Sequence, residues 1–154
     1  MSDTATLADP LVLPGETCQL SLRLSREDIA AFARMSGDSN PLHHDLLAAQ
    51  RARHGEIIAS GQHTTALMMG LVASHFSRSR ADVGRELLCL NFNFSFKTPV
   101  FAEQQLDLSW RVASVEWHSR LGGLLVQIDG LAAMRLASAA VVGRGTLLVK
   151  AAPV

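Results

Sequence analysis

The sequence predicts a single α+β domain in which an antiparallel sheet wraps around one long central helix. Three features indicate this plan. The first half holds one strand-like alternation followed by helical segments, and the second half holds a run of long alternating segments. Between them lies the helical segment 62–77, which is apolar on nearly every side and therefore needs cover from other structure.

The first half is predicted to form one strand and a capped helix. Apolar residues alternate with polar ones from Thr17, and the residues expected on the buried face of the strand are Cys18, Leu20, Leu22 and Leu24. Ser25 and Asp28 form a capping-box pattern at the start of the helix, and Gly37 stands where a left-handed C-cap is expected. The residues expected to face inward on this helix are Ile29, Phe32, Ala33 and Met35. A shorter helix is expected near residues 46–51.

Four strands are predicted in the second half, each from apolar residues at alternate positions. The residues expected to face inward on the first two are Leu88, Leu90, Phe92, Phe94 and Phe96, then Leu106, Leu108, Trp110 and Val112. The third strand is expected over residues 122–132 and the fourth over residues 135–150. Gly143 and Gly145 suggest a bend or a bulge in the fourth.

Composition is typical of a folded domain of 154 residues, with 48% hydrophobic and 18% charged residues. The formal net charge of zero argues against a surface for nucleic acid or for an anionic membrane. The most apolar stretch, residues 65–73, is too short to span a bilayer. The N-terminus shows neither the basic start nor the apolar run of a secretory signal. These features predict a cytoplasmic protein.

The cysteines and histidines predict neither a disulfide nor a metal site. Cys18 and Cys89 both stand in apolar strand-like segments and are expected to be buried free thiols in a reducing compartment. The six histidines show no spacing typical of metal ligands. No metal and no other cofactor is therefore expected.

The segment Ser36–Asp45, SGDSNPLHHD, concentrates the polar side chains that suggest chemistry. Asp38 and His43 flank a turn stiffened by Pro41, so their side chains can converge on one point. An aspartate and a neutral histidine together can hold and polarise a water molecule, while Asn40 supports the loop through backbone hydrogen bonds. The alternative is ordinary turn chemistry, with Asx turns at Asp38 and Asn40 and a solvated His43.

A second candidate feature is the start of the apolar helix, Ser60-Gly61-Gln62-His63. A glycine there allows close approach to the backbone, and the first amides of a helix lie at the positive end of its dipole. Such a terminus can stabilise an oxyanion. The alternative is that Ser60 is an N-cap and that Gly61 only permits close packing. His63 is expected either to face the mouth of the site or to be a hydrogen-bonded core histidine.

These segments resemble a known family. Residues 32–45, FARMSGDSNPLHHD, resemble the hydratase signature of MaoC-like (R)-specific enoyl-CoA hydratases. Residues 57–71, IIASGQHTTALMMGL, resemble the start of the family's central helix, and residues 91–108, NFNFSFKTPVFAEQQLDL, resemble the strand and turn that follow. The matches come in the family's order and extend over roughly residues 16–150.

The resemblance implies a hot-dog domain over residues 16–154, preceded by an N-terminal arm of residues 1–15, and a homodimer or higher oligomer. It implies that Asp38 and His43 activate water for syn addition to a trans-2-enoyl-CoA, giving a (3R)-hydroxyacyl-CoA, or catalyse the reverse dehydration. Gly61 would supply the oxyanion-binding amide, with Ser60, Gln62, Asn40 and His63 around the substrate. The protein would be a lyase of fatty acid metabolism with an acyl-CoA as its ligand.

Departures from the family pattern and two other functions remain open at this stage. Leu46 replaces a proline that often follows the signature, and His54-Gly55 replaces a Phe-Gly pair, which leaves the chain-length preference open. A hot-dog thioesterase is one alternative, although the helix 62–77 lacks the acidic residue that thioesterases commonly carry there. A non-catalytic acyl-CoA-binding subunit is the other. Arg78, Arg80 and Arg85 are either contacts for CoA phosphates or part of a solvated loop.

Overall fold

The computed structural model describes residues 10–135 and 139–153, and these ranges form one antiparallel sheet that curves around a long helix. The strands are β1 (Thr17–Arg23), β2 (Gly84–Phe96), β3 (Gln105–His118), β4 (Gly123–Met134) and β5 (Ala139–Ala152). The helices are α1 (Arg26–Ser36), α2 (Leu46–Arg51) and α3 (Gly61–Phe76), with a 3₁₀ turn at Pro41–His43. The sheet order β1-β3-β4-β5-β2 leaves β1 and β2 at the edges. The predicted α+β plan is confirmed.

Some predicted features lie partly outside the described residues, namely residues 1–9 of the arm and 136–138 of the fourth strand. The described end of the arm packs against the sheet, since Val12 is 2% exposed and the Gly15 amide donates to the Val112 carbonyl at 2.8 Å. The division of the chain at residue 15 stays a prediction. No helix in the described ranges is long and apolar enough to cross a membrane.

Capping residues start and end α1 where the sequence predicts. The Ser25 side chain accepts a hydrogen bond from the Asp28 amide, and the Asp28 carboxylate accepts one from the Ser25 amide. Gly37 ends the helix with a φ of 74°, a left-handed conformation that glycine adopts at little cost. These caps place the following residue, Asp38, directly at the C-terminal end of α1.

Two residues predicted to face inward near this helix are exposed. Met35 is 80% exposed, because it follows Ile29 by six residues and is therefore rotated by about 240° from the buried face. Leu20 of β1 is 45% exposed, because it faces a groove beside Ala66 and Gly70 of α3. Alanine and glycine at these two positions of α3 are too small to cover Leu20.

A β-bulge changes which residues of β2 face the core. Leu88 and Leu90, before and at the bulge, were predicted inside but are exposed. Phe96 is also exposed, but it lies beyond the bulge on the same face as Phe92 and Phe94 and borders an open cavity. The pairing with β5 shifts register between residues 89 and 91, and one extra residue moves the following side chains to the opposite face. Beyond the bulge, Phe92 and Phe94 pack edge-on against Trp110, as the alternation predicts.

The two cysteines lie in different surroundings. Both are free, but only Cys18 is buried, where loss of solvent raises the pKa of its thiol to about 11. Cys89 is exposed. The prediction of a buried thiol is therefore wrong for Cys89, which stands beside the bulge that reverses the alternation of β2.

The central helix is covered by the sheet on one face only. Its buried residues are His63, Thr64, Met68, Val72 and Phe76. Its exposed residues within this chain include Gln62, Ala66, Gly70, Ala73 and Ser74. The prediction that other structure wraps this helix is confirmed for its buried face, and its face of small residues is open in the single chain.

Gly143 and Gly145 make room for aromatic rings and do not form the predicted bend or bulge. Pairing of β5 with both neighbours is regular at these positions. A Cβ at Gly143 would lie 2.8 Å from the Phe94 ring, and one at Gly145 would lie 2.7 Å from the Phe92 ring. Without side chains at these two positions, β5 lets the aromatic residues of β2 lie across it.

Replacing Gly130 with alanine is expected to lower the free energy of unfolding by about 1–3 kcal/mol. The added Cβ would lie 2.5 Å from the ring of Trp110, which is 2% exposed and whose indole N–H donates to the Met68 carbonyl at 2.9 Å. Gly70→Ala is the matched control, because a Cβ there meets nothing within 4 Å and alanine favours a helix. Urea denaturation measures both variants. Equal stability of the two would contradict this account of the core.

Candidate active site

Hydrogen bonds of its backbone amides to backbone and side-chain oxygens hold the loop between α1 and α2 in one conformation. The Asp38 amide donates to the Ala33 carbonyl at 2.9 Å, which continues the end of α1. The Asn40 amide donates to Asp38 Oδ1 at 3.0 Å, and Asn40 Oδ1 accepts from the Leu42 amide at 3.1 Å. The predicted turn contacts of Asp38 and Asn40 are therefore present. They orient the Asp38 carboxylate, so turn chemistry and a catalytic role are compatible.

His43 is buried rather than solvated, with 6% of its surface exposed. Its Nδ1 lies 2.7 Å from the Ile58 carbonyl oxygen, which can only accept. Nδ1 therefore donates to this oxygen, and Nε2 presents a lone pair in the tautomer that carries only this proton. That Nε2 lies 3.4 Å from Asp38 Oδ2.

The Asp38 carboxylate receives donors from two parts of the chain. Besides the Asn40 amide on Oδ1, the Gln62 side-chain Nε2 donates to Oδ2 at 2.9 Å. The pKa of Asp38 lies below its ordinary value, chiefly because of the Asn40 hydrogen bond, with His43 and Gln62 adding to the effect and partial burial opposing it. The carboxylate is therefore ionised at neutral pH.

When His43 is neutral, Asp38 Oδ2 and His43 Nε2 are two acceptors that face each other. Two acceptors at 3.4 Å repel unless a donor lies between them. A water molecule can donate one O–H to each, which fixes its position and directs its remaining lone pairs outward. The arrangement can hold one water and remove a proton from it.

The first turn of α3 lies next to this pair. Ser60 is the N-cap, and its Oγ accepts from the His63 amide at 3.3 Å. The Gly61 amide follows the cap and has no acceptor within the helix, so it remains for a ligand at the positive end of the dipole. A Cβ at Gly61 would lie 2.8 Å from the Phe96 ring, so a side chain would crowd this approach.

Two cavities border the site. One, of about 370 Å³, adjoins Gly61 and is mainly apolar, with Ile58, Phe96 and Val141 in its wall. The other, of about 460 Å³, adjoins Asp38 between α1 and the loop. Open space therefore lies on the side of the helix terminus and on the side of the carboxylate.

His63 lies in the packing between α1 and α3. It is 6% exposed, and its ring stacks on Phe32 with the centroids 4.3 Å apart. Its Nδ1 is the one buried side-chain nitrogen or oxygen without a hydrogen-bond partner among the described residues. Burial lowers the pKa of His63, so the ring is neutral at physiological pH. It is a core histidine, though not a hydrogen-bonded one at Nδ1, and a substrate-binding role for it stays a prediction.

Most predicted site residues therefore lie together. Asp38, Asn40, His43 and Gln62 are joined by short contacts, and Ser60 and Gly61 start the adjoining helix. The Ile58 carbonyl was missed, because a backbone acceptor leaves no mark in the sequence. Among the described residues no cluster of three or more potential metal ligands occurs. The expectation that no cofactor is needed stays a prediction.

The arginines considered for phosphate binding lie at the other end of α3. That helix has 16 residues, so its ends are about 24 Å apart. Arg85 is buried and pairs with Glu16 at 3.0 Å, and Arg80 contacts the same carboxylate at 3.3 Å. Arg85 belongs to β2 and not to a solvated loop, whereas Arg78 and Arg80 lie in the loop before it, Arg78 exposed and Arg80 partly exposed.

The sheet order, the central helix and the loop between α1 and α2 define a hot-dog domain with a polar site at the N-terminus of its central helix. The chain belongs to the MaoC-like domain family, whose sequence model matches residues 11–121. It is 28% identical over 114 residues to an (R)-specific enoyl-CoA hydratase of Aeromonas caviae, covering 74% of this chain and 81% of that protein.

Solved structures agree with this assignment of the fold. The (R)-hydratase from A. caviae involved in PHA biosynthesis superposes with a TM-score of 0.77 at 24% identity, covering 89% of this chain and 96% of that one. A MaoC-like dehydratase from Rhodospirillum rubrum gives 0.73 at 20% identity, with 93% and 96% covered. The hot-dog fold predicted from the sequence is confirmed.

Proposed function

We propose that this protein is a hydratase/dehydratase that adds water to a trans-2-enoyl-CoA to give a (3R)-hydroxyacyl-CoA, or catalyses the reverse reaction. The observation that carries the proposal is the pair of facing acceptors, Asp38 Oδ2 and His43 Nε2, 3.4 Å apart beside the start of α3. Similarity to the Aeromonas caviae hydratase supports it. Cytoplasmic location stays a prediction.

In the proposed reaction Asp38 and His43 hold the attacking water. Asp38 takes a proton as the water oxygen bonds to C3, and the π electrons of the double bond move toward the thioester carbonyl. The Gly61 amide and the dipole of α3 stabilise the resulting oxyanion. Asp38 then returns the proton to C2 as the carbonyl re-forms. Dehydration follows the same steps in reverse.

The apolar cavity beside Gly61 supports an acyl thioester as the substrate. Its volume of about 370 Å³ and its wall of Ile58, Phe96 and Val141 suit a hydrocarbon chain. A thioester carbonyl placed at the Gly61 amide would have this space next to it. His43 Nε2 and Asp38 Oδ2 would then deliver water to one face of the double bond.

A second copy of the chain is the proposed partner. The edge strand β2 presents unpaired backbone groups over 13 residues, and Leu88 and Leu90 are exposed on it. Native proteins usually cover such an edge. We expect light scattering to give a mass of at least twice 16.6 kDa. The mass of a single chain would contradict this part of the proposal.

Turnover of crotonyl-CoA and of a longer trans-2-enoyl-CoA tests the proposed function. The absorbance of the conjugated thioester and the amount of free thiol are followed in parallel with the purified wild-type protein. Loss of the enoyl absorbance without thiol release is the expected result. Thiol release would assign a thioesterase, and binding without either change would assign an acyl-CoA-binding subunit.

A further inference from the structure

We propose that Gln62 is a positioning residue that holds the Asp38 carboxylate in the orientation that binds water. The inference rests on the proposed function for its catalytic consequence. The contact that carries it is a property of the structure, since Gln62 Nε2 lies 2.9 Å from Asp38 Oδ2. A carboxylate oxygen only accepts, so the amide nitrogen, and not its oxygen, faces it.

Gln62 completes the anchoring of Asp38 at both oxygens. The Asn40 amide holds Oδ1 at 3.0 Å from within the loop, and Gln62 holds Oδ2 from α3. Each carboxylate oxygen has two lone pairs, so Gln62 occupies one on Oδ2 and leaves one free. The free position is available to a water shared with His43 Nε2, which lies 3.4 Å from the same oxygen.

The contact also links the two halves of the site. Gln62 directly follows Gly61 in the first turn of α3, so one helical turn carries both the oxyanion-binding amide and the donor to Asp38. The distance between the held water and the carbonyl is thereby set by a rigid element. Reaction rates depend steeply on such distances.

Ionisation of Asp38 reports on the same contact. The pKa of Asp38 is lowered chiefly by the Asn40 amide, and Gln62 contributes in the same direction. Other groups with charge or titratable protons near it are His43 and His44 on the loop and Arg34 on α1. Substituting Gln62 leaves these groups in place, so a change in titration is assigned to the lost donor.

The test compares Gln62→Leu, which removes the donor, with Gln62→Lys, which supplies a charged one. Gln50→Leu on the exposed surface of α2 is the matched control. The midpoint for ionisation of Asp38 is measured by carbon-13 NMR of its carboxyl group in the free protein. The values of kcat and KM at neutral pH are measured with crotonyl-CoA, and unfolding curves establish that each variant is folded.

The leucine variant is expected to move the Asp38 midpoint to higher pH, and the lysine variant to move it to lower pH. At neutral pH kcat of the leucine variant should fall about tenfold with KM little changed, because orientation is lost while binding is kept. The Gln50→Leu control should match the wild type in every measurement.

Different results would contradict the positioning role of Gln62 and the proposed function. Unchanged midpoints in folded Gln62 variants would overturn the positioning role, whether or not the wild type hydrates enoyl-CoA. A wild type that hydrates no enoyl-CoA, with midpoints that move as expected, would overturn the proposed function and leave the role of Gln62 at Asp38 supported.

Discussion

Asp38→Asn and His43→Gln are each expected to lower kcat for hydration of crotonyl-CoA by about 10²–10⁴-fold. Asparagine keeps the size of the side chain but cannot take a proton from water. In the wild type, His43 Nε2 faces Asp38 at 3.4 Å while His43 Nδ1 donates to the Ile58 carbonyl. A glutamine at position 43 has no ring to keep both of these contacts. Steady-state kinetics measure both effects.

Residues of the same type away from the site provide the controls for these two variants. Asp129 pairs with Arg144 on the open surface of the sheet, and His118 ends β3 at the far end of the sheet from the site. Asp129→Asn and His118→Gln should retain the wild-type rate. A folded Asp38→Asn protein with a rate within a few-fold of wild type would remove Asp38 from the mechanism.

Glu16→Gln is expected to lower the free energy of unfolding by about 3–5 kcal/mol, the largest stability effect anticipated. The Glu16 carboxylate accepts from Arg85 at 3.0 Å and from His75 at 2.9 Å. The Arg85 side chain is 4% exposed and also donates to the carbonyls of Arg78 and His75 at 2.7 Å each, at the C-terminal end of α3. Removing the carboxylate charge leaves the Arg85 guanidinium buried without its counter-ion.

The stabilisation by the Glu16 carboxylate is expected to decrease at acid pH. Burial alone would raise the pKa of Glu16, but hydrogen bonds from His75 and Arg85 outweigh it and leave the pKa below its ordinary value of 4.5. The stabilisation is therefore complete above that value and is lost as the pH falls through the lower pKa of the folded state. The stability difference between wild type and Glu16→Gln should shrink at acid pH.

Urea denaturation at several pH values measures the effect of Glu16. Glu116→Gln on the exposed side of β3 is the control and should change stability by less than about 0.5 kcal/mol. A double variant with leucine at both Glu16 and Arg85 should be less destabilised than Glu16→Gln, because the buried guanidinium is removed together with its counter-ion. Equal stability of Glu16→Gln and the Glu116 control would contradict the importance of the cluster.

Local signals in the sequence predicted the elements well where neighbours along the chain decide the structure. Ser25, Asp28 and Gly37 delimit α1 because capping depends on residues a few positions apart. Period-two alternation located β3, whose inward residues are buried as predicted. It failed in β2, because a bulge near residue 90 is set by pairing with β5 and reverses the faces without a local signal.

The same distinction applies to the site. Asp38, Asn40 and His43 stand within six residues, so the loop could be recognised from its turn chemistry and spacing. The contact of Gln62 with Asp38 joins residues 24 positions apart and depends on how α3 packs beside the loop. Sequence placed Gln62 near the substrate but could not show that its amide faces the carboxylate.

The stereochemical course of hydration in D₂O tests the central claim most directly. Asp38 and His43 lie on one loop, so the water that they hold reaches one face of the double bond, and the same carboxylate returns the proton. The account predicts a (3R)-hydroxyl group, with deuterium added at C2 from the same face. A (3S) or racemic product, or deuterium added from the opposite face, would contradict catalysis by this pair.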